Sequence, residues 1–402
     1  MKSHNSCKRI WTHQAGKATA LYLHVPFCLA KCRYCDFYSV PLRPAEAESY
    51  LLAAASELSL TAHELSDKCL TIFAGGGTPT AMGPDLLRRL LGMVQPWRSG
   101  QTEFSVEANP GALDEAVADV LLEAGVNRVN LGVQSLHDDE LRLLGRIHDA
   151  AAAGAAVQLL QRRGFDNVGL DLIYAIPGQT LDAWMESVRA ALGMGISHLS
   201  CYALSFEERT PLGEDLRAGR VAEADELLQQ DMYYAAIDLA AGAGLEHYEI
   251  SNFARPGRRC RHNLVYWRNQ SYLGIGPGAA SFVGGCRRTN VADLAAYTDA
   301  ADHGRLPPAQ QESITGRLSA AETLMLGLRL MEGVDRREFA CRHGFDAVEG
   351  FPESFARHQQ AGMVHVESSR IRLAREALFV ADTVLADIVD EAGRPPGEAS
   401  PA

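Results

Sequence analysis

The chain has 402 residues, too many for one ordinary core and enough for a large domain with a smaller one. Its composition, 47% hydrophobic and 22% charged, is ordinary for a globular protein, and its formal charge of −12 argues against a general nucleic-acid binder. The first 20 residues are polar, no run of 18 apolar residues occurs, and the nine cysteines are an odd number, so we expect a cytoplasmic protein whose thiols serve metals or chemistry rather than disulfides.

Residues 21–206 alternate six short β-rich runs with segments whose apolar residues have helical spacing. The runs are LYLHVP (21–26), LTIFAGG (70–76), EFSVEANP (103–110), RVNLGVQS (128–135), VGLDLIYAIP (168–177) and HLSCYALSF (198–206). This alternation predicts a parallel sheet with right-handed crossovers, and six repeats are fewer than the eight of a closed barrel. Sites of such folds lie at the carboxyl ends of the strands, so we expect one shared cavity lined by Cys28, residues 75–78, Glu107, Gln134 and Asp171.

The second half of the chain has a different pattern. A helix is predicted over 223–243, and the stretch 246–282, rich in aromatic residues, Gly and Arg, indicates loops and short strands rather than helix. Helical spacing returns from 314 to 389 with a β-hairpin over 362–374, which is typical of a compact helical domain with a small wing. The domains we predict are an N-terminal segment (1–20), a core barrel (21–250), a connecting region (251–310), a C-terminal accessory domain (311–390) and a disordered tail (391–402).

Three cysteines lie within eight residues in HVPFCLAKCRYCDF (24–37), at Cys28, Cys32 and Cys35. A zinc site needs four ligands, and Cys260 or His262 is a candidate for the fourth. A cubane [4Fe–4S] cluster takes one thiolate per iron, so three cysteines would leave one iron open for an exchangeable ligand. Three unconnected buried cysteines are the remaining interpretation.

The C-x3-C-x2-C stretch resembles the radical S-adenosylmethionine (SAM) family, in which this motif holds a [4Fe–4S] cluster and SAM chelates the fourth iron. The resemblance implies a partial (β/α)6 barrel and a small, winged-helix-like C-terminal helical domain. GGGTPT (75–80) resembles the glycine motif that holds the SAM amino group in that family, and glycines there let the backbone approach a ligand closely. Tyr34, between the second and third cysteines, would cover the cluster.

A narrower resemblance covers residues 21–385. YLHVPFCLAKCRYCDF, GGGTPT, VEANPG, NLGVQS, LGRIH, DLIYAIPGQT and HNLVYW occur in the order and spacing of the group that contains oxygen-independent coproporphyrinogen III oxidase and HemW. The resemblance implies that the first SAM is contacted by Tyr22, Gly76 and Glu107. It also implies that the region of a second SAM in the oxidase corresponds to Gly77, Thr78, Gln134, Arg146 and Asp171. The alternative for Gln134 and Arg146 is an ordinary rim hydrogen bond or a surface charge, and the alternative for Asp171 is a structural cap.

Three departures favour the HemW family of haem chaperones over the oxidase. The oxidase has a fourth cysteine, where this chain reads Cys35-Asp36-Phe37. The oxidase also has a long N-terminal extension, whereas about 20 residues precede the first predicted strand here. HNLVYW (262–267) matches the H-N-x-x-Y-W motif of HemW.

The HNLVYW motif suits haem chemically. His262 would supply a neutral imidazole as an axial ligand, with Cys260 as a rival, and Tyr266 and Trp267 would stack on the porphyrin. The propionates would pair with nearby guanidinium groups, those of Arg258, Arg259, Arg261 and Arg268. The alternative is structural: His262 as a hydrogen-bonding loop residue and the aromatic pair as packing at a domain junction.

The leading functional hypothesis is a haem carrier with a SAM-ligated cluster, which transfers haem to respiratory-chain acceptor proteins. One alternative is oxidative decarboxylation of coproporphyrinogen III to protoporphyrinogen IX through a 5′-deoxyadenosyl radical, and another is a radical-SAM enzyme with a different substrate. No catalytic residue is assigned. The sequence leaves open whether SAM is cleaved, which acceptor receives haem, whether haem is attached covalently, and whether the chain forms a homodimer or reaches the membrane surface through its acceptor.

Overall fold

The structure, a computed structural model, describes residues 16–393. Six parallel strands pair in chain order at its centre: β1 (Ala20–Val25), β2 (Thr71–Gly76), β3 (Glu103–Ala108), β4 (Arg128–Gln134), β5 (Val168–Tyr174) and β6 (His198–Ala203). Each of the six overlaps its predicted run, so the predicted α/β fold is confirmed. Several crossover helices begin at side-chain caps, because Asp114, Asp149 and Thr180 each accept a hydrogen bond from a first-turn backbone N–H.

Both edges of this parallel sheet are extended by strands from the region after residue 245. Those strands are β7 (Glu246–Glu249), β8 (Asn252–Ala254), β9 (Tyr272–Ile275), β10 (Ala280–Val283), β11 (Cys286–Asn290) and β12 (Ala309–Ser313). The complete order is β12-β11-β10-β9-β1-β2-β3-β4-β5-β6-β8-β7. In it β1 pairs with β9 and β2, and β6 pairs with β5 and β8, so the barrel stays open between β1 and β6. This is the partial barrel that the sequence predicts.

The helices surround this sheet and form most of the C-terminal region. The α-helices are α1 (Pro44–Thr61), α2 (Gly83–Met93), α3 (Glu115–Glu123), α4 (Asp138–Leu143), α5 (Ala150–Arg162), α6 (Leu181–Gly193), α7 (Pro211–Arg217), α8 (Glu226–Gly242), α9 (Arg261–Trp267), α10 (Leu294–Asp302), α11 (Gly316–Gly327), α12 (Arg336–His343), α13 (Ala347–Gly350), α14 (Pro352–Gln360) and α15 (Ala381–Gly393). Short 3-10 turns occupy Ala62–Glu64, Pro79–Met82, Gln95–Trp97, Pro110–Ala112 and Arg375–Ala377. Within the described residues, no helix is both long and apolar enough to cross a bilayer.

The helix α9 corrects one expectation, because 246–282 was expected to lack helix. Its N-cap, Cys260, makes no side-chain capping hydrogen bond. The backbone N–H groups of Arg261 and His262 instead donate hydrogen bonds to the carboxylate of Glu103, each with an N–O distance of 3.1 Å. A distant carboxylate therefore stabilises the start of α9, and no local pattern predicts it.

The C-terminal region contains the predicted hairpin, with β14 (Val364–Val366) paired to β15 (Arg370–Leu373) and the two-residue strand β13 (Val334–Asp335) beside it. Helices α11 and α15 pack against each other there. Their buried residues belong to the same hydrophobic core as those of the barrel. Residues 1–15 and 394–402, which hold most of the predicted N-terminal segment and tail, lie outside the described residues.

Candidate functional site

The three cysteines lie in a loop that follows β1 at its carboxyl end. Cys28 ends a two-residue strand, Phe27–Cys28, which pairs in parallel with Val40–Pro41 and so closes the loop at its base. Cys28, Cys32 and Cys35 are half-buried and line one cavity of about 490 Å³. The loop therefore presents three thiols to a common space at the end of the barrel where sites of this fold are built.

The glycine motif after β2 lies directly beneath the cysteine loop. The N–H of Gly77 donates to the carbonyl of Val25 and that of Thr78 to the carbonyl of Phe27, both at 2.7 Å. A Cβ on Gly77 would lie 2.6 Å from the Phe27 carbonyl oxygen, and Gly76 has a φ of +103°. Side chains are thus excluded at both positions, which keeps backbone groups of Gly76 and Gly77 exposed at the cavity wall.

Two carboxyl groups face this cavity from β3 and β5. Glu107 accepts a hydrogen bond from the Gly76 N–H at 3.0 Å, and Asp171 accepts one from Asn130 at 2.5 Å. Burial raises the pKa of Glu107 to about 7, and repulsion from Asp171 adds to that shift. Burial also raises the pKa of Asp171. Two half-buried carboxyl groups with raised pKa values in one cavity are typical of a ligand site rather than of a structural ion pair.

The end of β4 carries an irregularity that aims Gln134 into the cavity. The register between β4 and β5 shifts between Gly132 and Gln134, and Gln134 has a φ of +74°, a region that residues other than glycine seldom adopt. Arg146 approaches from the loop after α4, donating to the Cys32 sulfur at 3.1 Å and to the Gly132 carbonyl. The guanidinium group therefore lies beside one of the three thiols.

All but one of the residues predicted to contact SAM or cover the cluster line this cavity: Tyr34, Gly76, Gly77, Thr78, Glu107, Gln134, Arg146 and Asp171. The exception is Tyr22, which is not among the lining residues; its hydroxyl group is hydrogen-bonded to the His24 ring at 3.1 Å. The structure thus brings together residues from β2, β3, β4, β5 and the cysteine loop.

Asn130 also lines the cavity, although it is not among the residues predicted from the sequence. It orients Asp171 through the hydrogen bond described above. The signal was available, because Asn130, Gly132 and Gln134 are spaced by two along one strand and must therefore share one face. Apolar residues occupy the alternate positions Val129, Leu131 and Val133, all of which are buried.

His262 lies at the opposite end of the barrel, with both ring nitrogens engaged. Its Nδ1 is 2.8 Å from the hydroxyl of Thr71, at the start of β2, and its Nε2 is 2.9 Å from the Tyr266 hydroxyl. The ring stacks on Phe73 at a centroid distance of 5.1 Å, and burial lowers its pKa to about 3. Ligation of a haem iron through Nε2 therefore requires the Tyr266 hydroxyl to move.

The other residues predicted to contact haem lie in α9 or next to it in the chain. Trp267 lines a second cavity, of about 450 Å³, between α9 and the C-terminal helices, together with Arg268 and Arg370. The four arginines already have protein partners. Arg258 pairs with Asp166, Arg259 with Glu246 and Arg268 with Glu332, whereas Arg261 donates to the carbonyl of Gln101.

The three-thiol cavity fits a [4Fe–4S] cluster better than a zinc ion. Cys260 and His262, the candidates for a fourth zinc ligand, contact Glu103 at the amino end of β3, whereas the three cysteines lie at the carboxyl end of the sheet. Among residues 16–393, no three His, Cys, Asp or Glu side chains converge closely enough to hold one metal ion. A cubane does not require such convergence, because each thiolate binds a different iron.

Comparison with known proteins agrees with this geometry. Residues 22–191 match the Radical SAM superfamily, and residues 317–380 match the HemN C-terminal domain. Among curated proteins, the Heme chaperone HemW of Bacillus subtilis (strain 168) is 33% identical over 375 residues, which are 92% of this chain and 99% of that protein. The Heme chaperone HemW of Escherichia coli (strain K12) is 36% identical over 264 residues, covering 65% of this chain and 69% of that protein.

A solved structure has the same fold over nearly the whole chain. Coproporphyrinogen III oxidase (HemN) from Escherichia coli, a radical SAM enzyme, superposes with a TM-score of 0.82, covering 96% of this chain and 93% of that one. The two sequences are 20% identical, so this likeness shows the fold alone.

Proposed function

This chain belongs to the HemW family of the radical SAM superfamily, and from that premise we propose that it binds haem and transfers it to acceptor proteins. The observation that carries the proposal is the 33% identity to a protein named Heme chaperone HemW over 99% of that protein's length. The cavity supports the membership of the radical SAM superfamily on which the proposal rests, because three thiols, a glycine-lined wall and two carboxyl groups meet there.

The superfamily implies a [4Fe–4S] cluster and SAM, and the residues at the cavity suit both. Cys28, Cys32 and Cys35 would each supply a thiolate to one iron, leaving the fourth iron to SAM. A bound cluster would supply electrons for reductive chemistry on its ligand. Gly76 would offer backbone groups to the SAM amino group, and Glu107 would accept hydrogen bonds from ribose hydroxyls.

The remaining cavity residues would shape the space next to that SAM. Arg146 would hold positive charge beside the Cys32 thiolate, and Tyr34 would limit the access of water to the cluster. Gly77, Thr78, Gln134 and Asp171 correspond to the region of the second SAM in the oxidase. Tyr22 stays a predicted SAM contact. It does not line the cavity, so its influence on SAM would be exerted through its hydrogen bond with His24.

We propose that haem binds at α9, with His262 as the axial ligand and Tyr266 and Trp267 as stacking partners. Trp267 borders a cavity of about 450 Å³ whose lining includes Arg268 and Arg370, together with the carboxyl groups of Glu332, Asp335 and Glu338. Acceptors would be haem-binding proteins of the respiratory chain. Homodimerisation and contact with the membrane surface stay open predictions.

The proposal is tested by anaerobic cluster reconstitution followed by a haem titration monitored in the Soret region. The same preparation then receives SAM, a reductant and coproporphyrinogen III, and the products are separated by chromatography. We expect stoichiometric haem binding and no vinyl-bearing product. Vinyl products with 5′-deoxyadenosine, without tight haem binding, would instead identify an oxidase.

The ligand assignment has a matched control. Cys28→Ser removes a proposed cluster ligand, whereas Cys286→Ser changes a half-buried cysteine of β11 that lies outside the loop. We expect Cys28→Ser to abolish the bound iron and sulfide that the Cys286→Ser protein retains. Equal iron content in the two variants would contradict the assignment.

A further inference from the structure

Arg33 lies between Cys32 and Cys35 but does not line the cavity, although its neighbours Cys32 and Tyr34 do. Its backbone N–H donates to the carbonyl of Leu144 at 3.0 Å, just after α4. Its own carbonyl accepts a hydrogen bond from the N–H of Leu212 in α7, at 2.8 Å. The centre of the cysteine loop is therefore bound on both sides by elements that follow β4 and β6.

The guanidinium group of Arg33 joins the same two elements a second time. Its Nη1 donates to the carbonyl of Leu143 at 3.3 Å, and its Nη2 forms a salt bridge with Asp215 of α7. The Arg33 side chain is 35% exposed and that of Asp215 is 13% exposed, so water and salt screen this pair only in part. A charge-assisted hydrogen bond in such a setting is among the stronger side-chain contacts.

The end of α4 is shaped to admit Arg33. Gly145 has a φ of +72°, and a Cβ there would lie 2.7 Å from Cγ of Arg33. The next residue, Arg146, donates to the Cys32 sulfur. Displacement of Arg33 would therefore also disturb the contact between Arg146 and a proposed cluster ligand.

A small apolar cluster lies under these contacts. It is separate from the main core and consists of Leu144, Ile173, Ile176, Leu204 and Leu212, with Tyr34 packed against it. The Arg33–Asp215 pair and this apolar cluster therefore both attach the cysteine loop to the segments that follow β4, β5 and β6.

We propose that Arg33 and Asp215 form a positioning clamp that holds the cysteine loop in the shape that binds the cluster. The inference rests on the proposed assignment of the three cysteines as ligands. Arg33 and Asp215 do not touch the cluster in this scheme; they limit how often the loop opens and exposes a thiolate–iron bond to attack. Retention of the cluster should therefore depend on the pair.

The test measures the rate at which an iron chelator removes iron from the reconstituted full chain. We expect Arg33→Met and Asp215→Asn each to accelerate iron loss about fivefold, as loss of a charge-assisted contact would. The double variant should lose iron no faster than Arg33→Met, because Arg33→Met already lacks the contacts of the guanidinium group with both Leu143 and Asp215. Asp215→Glu, which keeps the charge, should restore retention, and the electron paramagnetic resonance spectrum of the reduced cluster with SAM should broaden only in the clamp-deficient variants.

Arg220→Gln is the matched control, because Arg220 pairs with the other oxygen of Asp215 and is 59% exposed, without touching the cysteine loop. Its iron loss should stay within about twofold of the unmodified chain. Unchanged retention in Arg33→Met, or equally rapid loss in Arg220→Gln, would overturn the clamp. Failure of the unmodified chain to acquire a cluster would overturn the ligand assignment itself, so the two failures are distinguishable.

Discussion

At the scale of single residues, Glu107 should make the stability of the barrel depend on pH. Its pKa is about 7 in the folded chain, whereas a glutamate in an unfolded chain titrates near ~4.3. As the pH rises between these values, the unfolded state releases the proton first and is favoured. The contribution of Glu107 to stability is thus present below the lower pKa and is lost as the pH rises through about 7.

Glutamine at this position stays neutral at every pH, so Glu107→Gln should remove this loss of stability at high pH. We expect the cluster-free variant to be more stable than the unmodified chain at pH 8 by roughly 1–3 kcal/mol, and similar to it at pH 4.5. Anaerobic urea unfolding across this range measures the difference. Glu223→Gln, on the exposed stretch before α8, is the control. A parallel pH dependence in Glu107→Gln and the unmodified chain would contradict the role of Glu107.

Gly77 should be intolerant of a single methyl group. In Gly77→Ala the new Cβ would meet the backbone oxygens of Phe27 and Val25 at 2.6 and 2.8 Å. Backbone atoms cannot rotate away, so the strand segment that carries Cys28 must shift, at a cost of about 1–3 kcal/mol. We expect lower thermal stability and reduced cluster content.

Gly92→Ala is the matched control for that change. Gly92 is exposed within α2, and nothing lies within 4 Å of a Cβ added there. Alanine in a helix is favoured over glycine by about 1 kcal/mol, so this variant should be as stable as the unmodified chain or more so. If both variants behaved alike in thermal unfolding, the steric argument for Gly77 would be wrong.

At the scale of secondary-structure elements, α9 tests whether His262 is a haem ligand or a structural contact. His262→Ala leaves the Thr71 and Tyr266 hydroxyl groups without their partner in a buried site, so we expect a loss of about 2–4 kcal/mol in unfolding free energy. Tyr266→Phe removes only the hydroxyl group that engages Nε2. If His262 binds the iron, Tyr266→Phe should preserve or tighten haem binding, while His262→Ala should weaken it and change its spectrum.

An unchanged haem spectrum in His262→Ala would show that the imidazole only attaches α9 to β2. Haem titrations of both variants, at a temperature where circular dichroism shows them folded, separate loss of ligation from loss of structure. Because both ring nitrogens of His262 are engaged in the structure, these titrations decide between the two roles.

The elements that the sequence predicts correctly are those specified locally. The six strands and their crossover helices follow from alternation and periodicity, and Cys28 and Gly77 lie at the predicted end of their strands. The helix α9 was not predicted because the group that accepts hydrogen bonds from its first N–H groups is the Glu103 carboxylate, more than 150 residues earlier. The burial of His262 escaped for the same reason, since its partner Thr71 lies 191 residues away.

At the scale of the whole molecule, the C-terminal helices are joined to the barrel by backbone contacts as well as by a shared core. The Ile250 N–H donates to the Arg329 carbonyl and the Met331 N–H to the Tyr248 carbonyl, both at 3.1 Å, with a β-bridge between Glu249 and Leu330. The buried side chains of α11 and α15 belong to the same apolar core as those of β5. The barrel and the C-terminal helices therefore share one hydrophobic core.

We accordingly expect the chain to unfold in one cooperative transition, although it is larger than most single-domain proteins that do so. Hydrogen exchange in increasing urea, measured by mass spectrometry, should show α11, α15 and β5 losing protection at the same denaturant concentration. Loss of protection in α11 and α15 at a clearly lower concentration would show that the C-terminal region is a separately unfolding domain.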